Sequence, residues 1–127
     1  MARSSNAGAA DLLDSRLEDG TPLHRRIVEL GLAWDPGDQV GFVVGATDAA
    51  AVASVRAAAP HAPLLVPGAG AQGGALEDAV VAGLDGERRG LLINVSRGIA
   101  AAAEGPGRAA ADLRSRIEAA RGAVSLA

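Results

Sequence analysis

Two apolar runs that each break into a loop constrain this chain more than any other feature. Leu64, Leu65 and Val66 lead through Pro67 into a turn carrying Gly68, Gly70, Gln72, Gly73 and Gly74. Leu91, Leu92 and Ile93 lead through Asn94 into Ser96, Arg97 and Gly98. One short helical stretch separates the two runs. Parallel neighbouring strands joined by such a helix open their following loops on the same edge of the sheet. Backbone N–H groups, Gln72 and Arg97 are then placed to converge on one anion. Glycine lets the backbone approach a ligand closely, and Arg matches a phosphate with a planar fork of donors. Successive loops at the end of a (β/α)₈ barrel build a phosphate site in this way.

The rest of the chain repeats the alternation of strand and helix that marks a parallel α/β protein. Thr21 reads as a helix cap and Pro22 as the first helical residue, with Leu23, Ile27 and Leu30 at helical spacing and Gly31 as a stop. Residues 40–45 read as a buried strand. Thr47 or Asp48 caps the next helix, whose inner face is Val52, Val55 and Ala59, and Pro60 ends it. Residues 63–66 form the next strand. Residues 75–82 form a helix with Leu76, Ala79 and Val80 inward and Gly83 as its C-terminal cap. Residues 91–95 form the last clear strand. Beyond Pro106, Leu113, Ile117 and Ala120 mark an amphipathic helix, with Asp112 and Arg116 as an i,i+4 pair. Residues 1–5 read as the end of a fourth strand. The pattern gives three clear strands and about five helices, with no linker dividing them.

Composition narrows the chemistry. The chain has 127 residues, enough for one small core but well short of a full barrel's typical ~250 residues. Its formal charge is −3, which disfavours a nucleic-acid partner. No cysteine is present, so disulfides and thiolate metal sites are excluded; this fits a reducing, cytoplasmic setting. Residues 1–6 lack a signal peptide's apolar core, and no apolar run approaches the ~20 residues of a membrane span. All twelve basic residues are Arg. Chemistry that needs a Schiff-base, proton-donating or phosphate-gripping Lys therefore lies outside this chain.

Other candidates read as structural. Asp48 follows a strand end but suits a helix N-terminus, where the macrodipole favours a carboxylate. His24, beside Arg25 and Arg26, reads as part of a solvated helix face, and His61 as a loop residue. No His, Asp or Glu cluster has metal-ligand spacing. No Gly-x-Ser-x-Gly elbow or Walker lysine appears. Ser4 and Ser5 suit either a cap for the helix near Gly8 or a ligand contact. Arg97 and Gln72 also have plain readings, as a surface arginine and as a cap for the following helix.

Four blocks resemble the C-terminal half of orotidine 5′-phosphate decarboxylase in its bacterial, actinobacterial form. They are Arg3-Ser4-Ser5-Asn6, Gly41-Phe42-Val43-Val44-Gly45-Ala46-Thr47, the stretch from Leu65 to Gly74, and Ile93-Asn94-Val95-Ser96-Arg97-Gly98-Ile99. The resemblance implies one α/β unit over residues 1–127, the C-terminal half of a (β/α)₈ TIM barrel. It comprises strands five to eight, with helices on one face of the sheet. It implies decarboxylation of orotidine monophosphate to uridine monophosphate in pyrimidine synthesis, without a cofactor or metal. Arg97 matches the family's phosphate-gripping arginine, with Ser96 and Gly98 beside it. Gly68, Gly70, Gln72 and Gly73 match its phosphate loop. Ser4 or Ser5 matches the hydroxyl residue that contacts the pyrimidine. The family's catalytic array of Lys and Asp belongs to the other half and has no counterpart here, so no residue of this chain is assigned a catalytic role. The chain then reads as a truncated decarboxylase, as a noncatalytic module for phosphate ligands, or as a subunit that completes a barrel with a partner. Free sheet edges and an uncovered inner face lead us to expect self-association in isolation.

Overall fold

The computed structural model describes residues 1–6, 8–69 and 75–124. Three strands form a parallel sheet in the order β1 (Phe42–Val43), β2 (Leu64–Pro67), β3 (Leu91–Asn94). A further rung lies beside β1. Arg3 bridges Val44 in parallel, Ala2 N–H donates to Val43 O at 2.9 Å, and Gly45 N–H donates to Arg3 O at 2.9 Å. The chain thus presents a segment at residues 2–5 followed by three strands, all running the same way. A parallel sheet with its helices following each strand in chain order is the arrangement of a segment of a (β/α)₈ barrel.

Six helices accompany the sheet among the described residues: α1 (Ala9–Leu13), α2 (Leu23–Trp34), α3 (Ala49–Ala58), α4 (Ala75–Gly83), α5 (Arg97–Ala100) and α6 (Pro106–Ala123). Neighbours pack in chain order, α2 on α3, α3 on α4 and α4 on α6. Strand side chains alternate between two faces. Leu64 and Val66 face the helices and are fully buried with Val52, Val55, Leu76 and Val80. Burying each such side chain favours folding by roughly 1.5–3 kcal/mol. The opposite face carries the register row Val43, Leu65 and Leu92, and Leu92 is 61% exposed there.

The sequence-based boundaries need several corrections. Helix α2 starts at Leu23, because Pro22 is extended (ψ 143°) and pairs with Arg16; Thr21 is not its cap. It also runs through Gly31 to Trp34. Gly31 serves contact and not termination: a Cβ there would lie 2.9 Å from the Phe42 ring. Gly83 is likewise the last helical residue of α4, pressed against Leu91 and Val52. The strand expected over residues 40–45 pairs in register only at Phe42–Val43, though its hydrogen bonds continue through Val44 to Leu65 and Ala46 to Pro67. The short α5 was not anticipated. Asp48 does cap α3, its Oδ1 accepting from Ala51 N–H at 3.0 Å.

Two side chains depart from their expected surroundings, and a third, Arg56, was not singled out in the sequence. His24 is buried, not solvated: its Nδ1 lies 2.9 Å from Leu13 O, and its buried Nε2 has no partner among the described residues. Arg116 pairs with Glu77 of α4, at 2.6 and 2.9 Å, where Asp112 was expected. Arg56 is buried at the end of the sheet where the strands begin. It donates to the carbonyls of Gly83, Ala59, Pro60, Ala62 and Gly90, tying the ends of two helices to the entries of β2 and β3.

Candidate functional site

A cleft of about 260 Å³ opens at the opposite end, where the strands finish. It is lined by Ser5, Pro67, Gly68, Asn94, Val95, Ser96, Arg97 and Gly98. Parallel pairing explains this convergence. Pro67 and Asn94 are register partners at the ends of β2 and β3, so their following loops leave the sheet side by side. Gly68 turns away from β2 at φ +89°, a conformation that L side chains rarely adopt. Ser96 precedes α5, whose first residue is Arg97.

Ser5 reaches the cleft because two glycines make room for it. A Cβ at Gly45 would lie 2.6 Å from Ser5 N, and one at Gly68 would lie 3.2 Å from Ser5 Cβ. Neither serine caps α1, which starts after Gly8 without a side-chain cap. Of the two, Ser5 lines the cleft and Ser4 is absent from its lining. Gly68, Ser96, Arg97 and Gly98 also lie where the sequence pattern places them. Gly70, Gln72 and Gly73 lie outside the described residues. Pro67, Asn94 and Val95 were missed as lining residues. Their signal was positional, since the last residues of adjacent parallel strands share one rim.

The electrostatics of the rim follow from these residues. Arg97 is exposed and has no carboxylate partner among the described residues. Its lining neighbours are neutral, so the cleft presents one fixed positive charge together with hydroxyl and amide groups. That set suits an anion bearing a polar group. The described cleft is smaller than the ~300–1,000 Å³ of a pocket that encloses a whole small ligand. It has the size of one end of such a pocket.

A separate charged cluster anchors the serine-bearing segment. Buried Arg3 donates to Asp14 at 2.8 and 2.9 Å and lies 3.2 Å from Asp48. Hydrogen bonding from Arg3 holds the Asp14 carboxyl below its ordinary range. The ion pairs tie the residue 2–5 rung to α1 and to the start of α3, and so set the position of Ser5.

No family model matches the chain. Curated proteins do. An orotidine 5′-phosphate decarboxylase of Roseiflexus castenholzii is 44% identical over 98% of this chain and 48% of its own length. One from Halorubrum lacusprofundi is 46% identical over 82% of this chain and 39% of its own. The solved Leishmania donovani OMP decarboxylase superposes with a TM-score of 0.84 at 43% identity, over 96% of this chain and 47% of that one. The chain spans about half the length of the curated relatives it matches, and it is strongly homologous to orotidine 5′-phosphate decarboxylase over that half.

Proposed function

We propose that this chain is the phosphate- and base-binding half of an orotidine 5′-phosphate decarboxylase, corresponding to strands five to eight of the barrel. The observation that carries this reading is the convergence of Ser5, Gly68 and Arg97 on one cleft at the strand ends. Arg97 pairs with the phosphate of orotidine or uridine monophosphate. Ser96, Gly98 and the glycine loop that includes Gly70, Gln72 and Gly73 complete the phosphate cradle. Ser5, set by the Arg3 ion pairs and by Gly45 and Gly68, meets the pyrimidine. Ser4 has no direct contact in this reading.

The chain holds its ligand without decarboxylating it. It has no Lys to protonate a developing carbanion, so a complementary half must bring the Lys and Asp array. Phosphate binding at Arg97 then serves the chemistry at a distance, because contacts to a non-reacting group hold the substrate for the reacting end. No helix among the described residues is long and apolar enough to cross a membrane. A cytoplasmic enzyme of the bacterial type is the setting we assign, on the motif blocks and the cysteine-free composition.

Calorimetric titration with uridine monophosphate tests the reading. Binding by the native chain and its loss in Arg97→Ala support it. Equal binding by the two chains contradicts it.

A further inference from the structure

The segment that carries Ser5 runs from the sheet into α1, and α1 is a weak anchor by itself. It has five residues, too few for a helix that is stable alone, and Ala9 is its one buried residue. Polar contacts hold it instead. Buried His24, in the first turn of α2, brings its Nδ1 to 2.9 Å from the carbonyl of Leu13, the last residue of α1. A carbonyl only accepts, so Nδ1 carries the hydrogen and donates it. The same nitrogen lies 3.3 Å from Asp14 Oδ1, the oxygen that accepts from Arg3 Nε at 2.8 Å. Arg3 in turn is fixed in the sheet, its carbonyl accepting from Gly45 N–H at 2.9 Å. Ser5 stands between these two fixed points, against Gly45 and Gly68. The second ring nitrogen shows what the imidazole is for. His24 Nε2 is buried and has no partner among the described residues, and a buried polar atom left unmet costs stability. Val28, one turn on, fills the same helix face with an apolar side chain and no such cost. What histidine adds at this position is the Nδ1 donor.

We propose that His24 is a positioning residue for base recognition. Through Leu13 and Asp14 it fixes α1 and the Arg3 fork, and so presents the Ser5 hydroxyl to the pyrimidine. The inference rests on the reading of Ser5 as the pyrimidine contact. His24 itself is absent from the cleft lining and acts only through the chain of contacts His24, Asp14, Arg3. Its effect falls on the base and spares the phosphate, because Arg97 is carried separately, on α5 after β3.

Calorimetric titration of the 127-residue chain with uridine monophosphate and with ribose 5-phosphate, which has the phosphate and no base, separates the two contributions. The native chain is expected to prefer uridine monophosphate. His24→Leu removes the donor and is expected to reduce that preference by about three- to tenfold, the worth of one neutral hydrogen bond, with ribose 5-phosphate binding unchanged. His24→Asn, whose amide nitrogen takes the place of Nδ1, keeps the preference. Asp14→Asn breaks the path at its next link and lowers the preference as His24→Leu does, and the double variant lowers it no further. Val28→Ala loosens the same face of α2, so it lowers the urea midpoint and leaves the preference intact. If His24→Leu fails to fold, His24→Gln replaces it, since its amide reaches the Nε2 position and not Nδ1, and the same loss of preference is expected. A preference unchanged in His24→Leu and Asp14→Asn overturns the proposal, as does equal weakening of both ligands or a His24→Asn that behaves as His24→Leu. Equal affinity of the native chain for the two ligands removes the Ser5 reading and the proposal with it, and binding of neither removes the phosphate reading as well. A failure confined to the variants removes His24 alone, so the failures are distinguishable.

Discussion

Arg97 and Arg56 show how one residue type serves opposite ends of the sheet. Arg97 stands exposed at the strand ends, on the rim of the cleft. Arg56 is buried at the strand beginnings, with every hydrogen bond going to a main-chain carbonyl. Burial pushes the Arg56 guanidinium below its ordinary range, and Asp85 offsets part of that shift. A charge-assisted hydrogen bond contributes about 1.5–3 kcal/mol. Arg97→Ala is therefore expected to weaken uridine monophosphate binding by roughly ten- to a hundredfold, with little effect on the urea midpoint. Arg56→Ala has the reverse signature. Each buried acceptor left without a donor costs roughly 1–3 kcal/mol, and several are stranded together. The urea midpoint is expected to fall by about 1 M or more, given slopes of ~1–3 kcal/mol/M.

Packing between elements overrides local propensity at several boundaries. Gly31 lies inside α2, where replacement by Ala ordinarily gains about 1 kcal/mol of helix stability. Here the added Cβ meets the buried Phe42 ring at 2.9 Å. Gly31→Ala is expected to lower the thermal midpoint, and a raised midpoint contradicts this account of α2 on β1. The Arg3–Asp14 pair is tested by acid. Its depressed folded-state pKa adds stability that is complete above the unfolded carboxylate value and is lost as pH falls through the folded one. The difference in urea midpoint between the native chain and Asp14→Asn is therefore expected to be constant above about pH 5 and to shrink below about pH 4. Strands β2 and β3 were legible because each is a short continuous apolar run that ends at turn residues, although only β2 has fully buried side chains. The burial of His24 was misread: His24, Val28 and Leu32 recur every four residues on one face, but the flanking Arg25 and Arg26 pointed to a solvated one. Helix α5, four residues long, carries no apolar period to read.

At the scale of the whole molecule, one architecture accounts for both the cleft and the uncovered faces. Parallel strands bring Ser5, Gly68 and Arg97 to a common rim, and half a barrel leaves its inner face open. The motif blocks singled out Arg97 and the Ser4/Ser5 segment, and the structure brings Arg97 and Ser5 to one cleft. The choice between the serines needed the close approach of Gly45 and Gly68, which no sequence pattern encodes. The purified chain is expected to show no decarboxylation of orotidine monophosphate above background. Activity that persists through purification and disappears on mutating this chain contradicts the assignment of the reacting groups to another half. The most direct test of the central claim is a paired calorimetric titration with uridine monophosphate and with uridine. If this half-barrel grips the phosphate through Arg97, the monophosphate binds, uridine binds at least tenfold more weakly, and Arg97→Ala removes the difference. Equal affinity for the two ligands, or a preference for the monophosphate that survives Arg97→Ala, contradicts it.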